Sequence, residues 1–260
     1  MKLLDNKEYD KKQLIDNMFQ DEFYYSFLGL DKALSYSSLK WLLKSPKWFE
    51  YKRRKPSPET QALRDGKLVH TEILEPEKYS DFNFIDVSSK NTKKWKLAVE
   101  EYGKVYTYTM KEKYMNNRIS SAFLQNDRCV SFMNGSETEV PAIETIEGLP
   151  IRAKADILGG SFIVDLKTTG KGGLQKFKWS ADNFGYDVQC YIYCELFDIS
   201  YKDFLFAVIE KETHLMGLFE CSKEFYERGR YKTEEAIQIY RDFFLEKKKP
   251  VEEFYLYDVL

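Results

Sequence analysis

The feature that most constrains the fold is a change in the hydrophobic pattern close to residue 139. Residues 139–145, 151–158 and 162–167 are short runs rich in β-branched side chains, and Glu-Gly and Gly-Gly pairs separate them. Runs of this kind, punctuated by turn residues, are typical of antiparallel strands rather than helices. The sequence therefore predicts a three-stranded antiparallel meander in the middle of the chain.

Helical periodicity dominates the chain on either side of the meander, and we expect the first helices to precede any sheet. Helices are predicted in a segment that Ser37 caps and Ser45-Pro46 ends, and over residues 61–74, 93–101 and 108–124. A helix over residues 186–197, strands over 204–210 and 216–221, and an amphipathic helix over 222–247 are predicted after it. This order predicts an α+β fold with a central mixed sheet flanked by helices.

Length and composition favour one domain. The chain has 260 residues, 43% of them hydrophobic, and neither an internal repeat nor a Gly/Ser-rich linker divides it. We expect a single domain over 1–260, with a mostly helical part over 1–130, the sheet and its helix over 137–221, and a C-terminal helix and tail over 222–260.

Charge and cysteine content argue against a strongly basic nucleic-acid-binding domain and against a protein held together by disulfide bonds. The net charge is −2, so bulk charge does not indicate a nucleic-acid-binding protein, although residues 40–55 interleave basic and aromatic side chains. That strip is either a solvated helix face or a local surface for a polyanion. The chain has no long apolar run, no apolar leader and four irregularly spaced cysteines, which predicts a cytosolic protein with free thiols. The cysteines are Cys129, Cys190, Cys194 and Cys221.

Two acids and a lysine lie on the last two strands of the meander. Asp165 and Lys167 are two residues apart, so they project from one face of a strand. If Gly159-Gly160 forms a two-residue hairpin turn, Asp156 becomes a diagonal neighbour of Asp165, roughly 7 to 8 Å away at the backbone. A loop with an odd number of residues would send the acids to opposite faces. The hypothesis therefore requires an even loop.

Two carboxylates beside a lysine suit phosphodiester hydrolysis. Carboxylate oxygens hold Mg²⁺, and an ammonium group can orient or deprotonate the attacking water. The alternative interpretation is an exposed polar hairpin on which Asp165 and Lys167 are solvated charges.

Three further residues are candidates for the same site. Gln189 and Tyr193 are four residues apart on the predicted helix that follows the sheet, so they share one face and could line a cleft. His70 lies on an early predicted helix, and an imidazole is an acceptable ligand for Mn²⁺ beside carboxylates. Each has a plain alternative, because helical Tyr and lone His residues are more often packing residues.

Taken in chain order, these residues carry a family resemblance. The order G-x-x-x-H (Gly66 to His70), Asp156, D-L-K (Asp165 to Lys167) and Q-x-x-x-Y (Gln189 to Tyr193) resembles the exodeoxyribonuclease VIII-like branch of the PD-(D/E)xK nuclease superfamily. The resemblance covers about residues 34 to 200 and implies a restriction-endonuclease-like core with an α/β/α-like arrangement.

The resemblance also implies an activity and a set of residue roles. It implies a Mg²⁺-dependent exonuclease that digests linear double-stranded DNA from 5′ to 3′. Mn²⁺ is expected to substitute for Mg²⁺. The resemblance further implies a ring-shaped trimer or tetramer and a single-strand annealing protein as partner, in a bacterial cytosol if the protein is phage-encoded. The implied roles are metal binding by His70, Asp156, Asp165 and the Leu166 carbonyl, water activation by Lys167, and positioning of the scissile strand or its water by Gln189 and Tyr193.

Some assignments stay open at this stage. An additional acid on the first strand could be Glu137, Glu139 or Glu144, and Asp165 stands where many superfamily members carry glutamate. Candidates for binding a 5′ phosphate, each with a surface-charge alternative, are Arg53, Arg54 and Arg64. Alternative functions are an endonuclease or repair nuclease of the same fold, and a nuclease-like DNA-binding protein that does not cleave.

Overall fold

The computed structural model describes residues 1–55, 59–170 and 172–255, so part of the polar segment 55–60 and the end of the predicted C-terminal tail lie outside the described residues. The helices are, in chain order, α1 (Lys11–Met18), α2 (Tyr36–Lys44), α3 (Pro46–Arg54), α4 (Gln61–Leu74), α5 (Pro76–Tyr79), α6 (Lys93–Tyr102), α7 (Met110–Leu124), α8 (Asp127–Ser131), α9 (Phe177–Phe184), α10 (Tyr186–Phe197) and α11 (Lys223–Tyr240). The strands are β1 (Leu34–Ser35), β2 (Asn83–Ile85), β3 (Thr107–Thr109), β4 (Glu137–Ile146), β5 (Leu149–Leu158), β6 (Ile163–Thr169), β7 (Phe204–Glu210) and β8 (Met216–Glu220).

The central sheet is mixed, as predicted. Its strand order is β1-β5-β6-β7-β8, and β4 also pairs with β5. Strands β4, β5 and β6 form the predicted antiparallel meander, whereas β6 and β7 are parallel. A parallel pair requires a crossover connection, which α9 and α10 provide. The α+β class with a mixed sheet flanked by helices is therefore confirmed.

The expectation that the first helices precede any sheet is wrong. Leu34 and Ser35 pair in parallel with Ile151 and Arg152 of β5, and β2 pairs with β3 as a separate two-stranded sheet. Ser35 is the extended N-cap of α2, so the residues that lead into this helix are already in a strand conformation. Strands this short carry too few residues to show a period-two pattern.

Local capping chemistry sets several helix boundaries. The Thr60 side chain accepts a hydrogen bond from the Leu63 N–H at the start of α4, and Ser45 caps α3 in the same way. Ser45 and Pro46 end α2 as predicted, and Pro46 is also the first residue of α3, where proline lacks only an N–H that would be unpaired anyway. The helix predicted over residues 222–247 ends at Tyr240 and continues as a π-helical turn.

Hydrophobic cores lie on both faces of the sheet. On β6, Val164 and Leu166 point to a cluster formed with α4 and α7, whereas Ile163 points to a cluster formed with α2, α10 and α11. Because side chains alternate along a strand, Asp165 lies on the Ile163 face, beneath α10. The sheet is thus sandwiched between helices, and α10 covers the face that carries the candidate residues.

Candidate active site

The turn between β5 and β6 determines how the two acids meet. A two-residue turn at Gly159-Gly160 would pair Leu158 with Ser161, but Leu158 pairs with Ile163, so that prediction is wrong. The loop covers residues 159–162, and the Gly159 N–H donates to the Phe162 carbonyl at 2.9 Å. Within this loop the Phe162 ring packs on Phe132, with ring centroids 5.6 Å apart.

The longer loop is still even, so the acids share a face as required. Continuing the register from Ile157↔Val164 by one residue places Asp156 directly opposite Asp165 rather than diagonal to it. The main-chain ladder stops at this point. The Asp156 Oδ2 atom instead accepts a hydrogen bond of 2.7 Å from the Leu166 N–H, so a side chain replaces the strand pairing.

Three potential metal ligands converge at Asp156. Ligand atoms of His70, Glu139 and Asp156 all lie within 4.8 Å of one another. The His70 Nδ1 atom, from α4, is 3.6 Å from Asp156 Oδ2. Two carboxylates and one imidazole are donors that suit Mg²⁺ or Mn²⁺, so the side chains fit a divalent cation.

The structure distinguishes the three glutamates that the sequence left open. Thr138 pairs with Ile157 and Val140 pairs with Ala155, so Glu139 lies opposite Asp156. Glu139 has a φ of 53°, a left-handed conformation in the middle of a strand. Such backbone is uncommon for a non-glycine residue and is often found at functional sites.

The other two glutamates lie away from this group. Glu137 is exposed at the start of β4, and Glu144 forms an ion pair with Lys11. No sequence signal identifies Glu139, because the pattern of a strand does not show which residue leaves the extended region.

Asp165 has different partners from Asp156. Its Oδ1 atom accepts a hydrogen bond from Gln189 Nε2 at 2.5 Å, and its Oδ2 atom forms an ion pair with the Lys167 ammonium. Asp165 is 1% exposed and is not one of the three converging ligands. Its predicted role as a metal ligand stays a prediction, since the structure pairs it with a cation.

Tyr193 and Leu166 form hydrogen bonds that hold the backbone and side chains of the site in place. The Tyr193 hydroxyl donates to the backbone carbonyl of Lys154 at 2.9 Å, which fixes β5 against α10. The Leu166 side chain is buried, and its backbone hydrogen-bonds to both Asp156 and His70. The predicted substrate contact of Tyr193 and metal contact of Leu166 stay predictions.

Burial and repulsion shift the pKa values of all three converging groups. Burial, together with the charge of Asp165, raises the pKa of Asp156 to about 8. Burial, together with the charge of Asp156, raises the pKa of Glu139 to about 8. Burial and then the charge of Lys167 lower the pKa of His70 to about 4. The protein alone therefore holds protons where a divalent cation would stabilise the carboxylates and replace those protons.

Lys167 remains charged in this environment. Its burial acts to lower the pKa, but the neighbouring Asp165 and Asp156 outweigh this effect and raise it. The ammonium group thus suits the binding of a phosphate oxygen.

Two cavities meet at the converging ligands. One has a volume of about 620 Å³ and the other about 470 Å³. The larger contains every predicted catalytic residue, and both are bordered by the same four side chains, which are Tyr25, His70, Glu139 and Lys167. A polymer strand could therefore pass the ligands with residues on either side.

The predicted phosphate-binding arginines lie elsewhere. Arg53 pairs with Asp31 and Arg54 pairs with Glu50 on the surface. Arg64 is 3% exposed, and its guanidinium donates to the backbone carbonyls of Lys104 and Thr107. The Arg64 prediction is corrected accordingly, because this side chain ties α4 to the segment before β3 and is not exposed to a phosphate.

The chain is similar to proteins of one superfamily. A family model described as "PDDEXK-like domain of unknown function (DUF3799)" matches residues 35–253. A search of curated proteins gives no match. In the described part of the chain, no helix is long and apolar enough to cross a membrane.

One solved structure shares the fold of this chain. A candidate exonuclease from Eubacterium rectale is 17% identical, with a TM-score of 0.63, over 93% of this chain and 95% of that chain. This likeness shows the fold alone. The protein SSO0001 is 13% identical over 88% of this chain and 85% of its own, and its TM-score of 0.39 is too low to carry an argument.

The predicted superfamily is confirmed, whereas the exodeoxyribonuclease VIII-like branch stays a prediction. The matched residues include all of the converging ligands, since His70, Glu139 and Asp156 fall within 35–253. The family and the fold support a nuclease. The chain belongs to the family of PDDEXK-like domains of unknown function.

Proposed function

We propose that the protein is a metal-dependent deoxyribonuclease that hydrolyses phosphodiester bonds of double-stranded DNA. The observation that carries this proposal is the convergence of His70, Glu139 and Asp156 in the same cleft as the Asp165–Lys167 ion pair. Metal-ligating carboxylates beside an ammonium group match the charge distribution of phosphoryl transfer, where negative charge grows on the phosphate oxygens.

In this proposal His70, Glu139 and Asp156 hold a divalent cation, with Mg²⁺ as the expected ion and Mn²⁺ as a substitute. When bound, the cation supplies Lewis-acid stabilisation of the phosphate and lowers the pKa of water. Leu166 contributes through its backbone, whose N–H orients the Asp156 carboxylate.

The remaining residues act on the phosphate and on each other. Lys167, which stays protonated, binds a non-bridging phosphate oxygen and orients the attacking water. Asp165 holds the Lys167 ammonium in place, and Gln189 fixes the Asp165 carboxylate through its amide. Tyr193 positions β5 through the Lys154 carbonyl. This network is preorganised, because each partner is already hydrogen-bonded in the cleft.

The decisive test compares wild-type protein with Asp165→Ala and Lys167→Ala on linear duplex DNA, with and without Mg²⁺. We expect Mg²⁺-dependent degradation by the wild type and its loss in both variants. Degradation that is unchanged in either variant would contradict the assignment. If the wild-type protein binds DNA but does not degrade it, a non-cleaving nuclease-like protein would be favoured.

The finer proposal is an exonuclease that digests from 5′ to 3′ and leaves 3′ single-stranded tails for an annealing protein. It predicts degradation of linear duplex with a 5′ phosphate and no cleavage of covalently closed circles. End-labelled duplexes read the polarity directly. Cleavage of the closed circle would identify an endonuclease or repair nuclease instead.

A ring-shaped trimer or tetramer belongs to the same proposal. Light scattering of the purified protein measures its mass, and a monomer at micromolar concentration would remove the ring from the proposal. The hydrolytic site does not depend on this result, because all its described ligands come from one chain.

A further inference from the structure

Arg152, on β5, has no charged partner among the residues that the structure describes. Arg152 is 6% exposed, and its Nε and Nη1 atoms have no hydrogen-bond partner among the described residues. Its guanidinium stacks on the Tyr24 ring, with the Cζ atom 4.4 Å from the ring centroid. No carboxylate lies within ion-pair distance of it in residues 1–55, 59–170 and 172–255. A buried cation without a counterion is costly, which calls for an explanation.

Lys154, on the same strand, is a buried cation that does have ion-pair partners. Its ammonium forms ion pairs with Asp21 at 2.9 Å and with Glu139 at 3.6 Å. Lys154 and Arg152 are two residues apart, so both project toward the cleft face that Asp156 occupies. The fold thus supplies anions to one cation of the pair and none to the other.

Arg152 lines the larger cavity together with aromatic and hydroxyl side chains that could bind a nucleotide. This cavity of about 620 Å³ contains Asp156, Asp165 and Lys167 at one end. Near Arg152 its wall includes two serines and four aromatic side chains, which are Ser35, Ser37, Tyr24, Tyr25, Tyr36 and Trp41. Aromatic faces stack on bases, and hydroxyls donate to phosphate oxygens.

We propose that Arg152 is the phosphate-binding residue of a separate subsite, which takes a phosphate of the substrate strand other than the one that is hydrolysed. Arg152 and Asp156 are four residues apart on one strand, or ~13 Å at the backbone. Because of this separation we assign Arg152 to a neighbouring phosphate, whose binding would set the register of the strand. Its free Nε and Nη1 atoms lie on different edges of the guanidinium, and each can donate one charge-assisted hydrogen bond to a phosphate oxygen. This inference rests on the proposed function only in that the substrate strand lies along the cleft.

Two sources of that phosphate are distinguishable. It is either the 5′-terminal phosphate of the strand or an internal phosphate of the backbone. The Tyr24 ring that supports Arg152 belongs to a π-helical turn over Phe23–Phe27, which lies outside the residues matched by the family model. The subsite is therefore built partly by an N-terminal segment that the family match does not include.

The test measures binding in EDTA, so that it does not depend on hydrolysis. A fluorescently labelled oligothymidylate, with either a 5′ phosphate or a 5′ hydroxyl, is titrated with wild type, Arg152→Met, Arg152→Lys and Arg128→Met. Arg128 is an exposed arginine outside the cleft and is the matched control. We expect Arg152→Met to weaken binding about tenfold or more, Arg152→Lys to weaken it less, and the control to bind like wild type.

The pattern of loss identifies the phosphate. A loss confined to the phosphorylated oligonucleotide assigns the subsite to the 5′ end, and an equal loss with both assigns it to an internal phosphate. Unchanged affinity in Arg152→Met would overturn the proposal. The melting temperature is a second readout, because replacing an unpaired buried cation by methionine should leave it unchanged or raise it. A fall of several degrees would make Arg152 a residue of the fold and overturn the proposal as well.

If the nuclease proposal fails but Arg152-dependent binding is observed, the subsite stands and only the hydrolytic step is lost. If hydrolysis is confirmed and binding does not depend on Arg152, the subsite alone is wrong.

Discussion

Two buried carboxylate centres in this molecule are built in opposite ways. Asp187, on α10, is 0% exposed and is fully compensated by Arg228 and Lys232, each with a nitrogen 2.6 Å from Asp187 Oδ2. Its other oxygen accepts a hydrogen bond from the Val188 N–H at 2.9 Å. Asp156 is also buried, but among the described residues His70 is the only basic group within ion-pair distance of it.

His70 does not compensate Asp156, because its lowered pKa of about 4 leaves the imidazole neutral near pH 7. Burial and then the charge of Asp165 raise the pKa of Asp156, whereas Asp187 lies beside two cations. The comparison separates two uses of buried charge. A carboxylate with its counterions supplied by the fold joins helices, and a carboxylate left without them is available to a ligand.

The largest expected effect is on activity at the uncompensated centre. Asp156→Asn removes a proposed metal ligand, so we expect nuclease activity to fall about 100-fold or more. The melting temperature without metal should be unchanged near pH 7 and higher above pH 8, where the substitution removes a buried negative charge beside Asp165 and Glu139. Steady-state assays and thermal melts of the same preparation check both parts. A large fall in melting temperature would mean that Asp156, like Asp187, is a structural residue.

The compensated centre should be disrupted most strongly at its helix crossing. A Cβ added at Gly229 of α11 would lie 2.0 Å from the Asp187 carbonyl oxygen, so the two helices cannot keep their spacing. We expect Gly229→Ala to lower the free energy of unfolding by about 3 kcal/mol. Gly66, on α4, is a matched control, since a Cβ there meets nothing within 4 Å. Gly66→Ala should stabilise the protein by about 0.5 to 1 kcal/mol in the same denaturant titration.

Removing the charge of the compensated carboxylate should affect stability and not chemistry. Asp187→Asn leaves Arg228 and Lys232 without a counterion, and both are partly exposed, so solvent reduces the cost. We expect the free energy of unfolding to fall by about 2 kcal/mol, with activity per folded molecule nearly unchanged. Loss of activity in fully folded Asp187→Asn protein would remove the contrast between the two centres.

The smallest expected effect is a pH dependence of the metal-free protein. The folded pKa values of Asp156 and Glu139 are about 8, above the values near 4 of an unfolded chain. Their contribution to stability is therefore complete below about pH 4 and is lost as the pH rises through 8. His70 has the opposite sign, since its contribution is lost as the pH falls from about 6.5 to 4.

Of these three groups, only Asp156 and Glu139 change their contribution to stability between about pH 6.5 and 8.5. The melting temperature in EDTA should therefore fall by a few degrees as the pH rises across this window. Mg²⁺ or Mn²⁺ should raise it, and by more at the higher pH, because the cation binds the deprotonated carboxylates. Asp156→Asn should flatten both dependences. An equal slope in that variant would place the titrating groups elsewhere.

The long helices and strands, and the side chains that share one face of a strand, could be predicted from the sequence. The two-residue strand and the left-handed residue within a strand could not. The helices Gln61–Leu74 and Tyr186–Phe197 and the strand Phe204–Glu210 match their predicted bounds, because their apolar periodicity and capping residues are local. The short strand Leu34–Ser35 was not predictable, since its partner β5 is more than a hundred positions away along the chain.

The site was predictable to the same extent. The spacing of Asp165 and Lys167 sets their common face, and an even turn brings Asp156 to it whatever the turn length. The longer turn includes Phe162, whose ring packs on Phe132 in a tertiary contact that the local sequence does not show. Glu139 could not be singled out because its left-handed backbone has no local signature. The alternation of Arg152, Lys154 and Asp156 was visible in the sequence, but not the absence of an anion beside the first.

The hydrogen bond from the Leu166 N–H to Asp156 has a practical consequence. That amide is held by a side chain whose protonation and ligation change with the ion, rather than by a neighbouring strand. Its exchange with deuterated solvent should therefore slow when the site fills, while the paired amides of β6 and β7 exchange as before. One peptide group would then report ion occupancy at equilibrium, without substrate and without turnover.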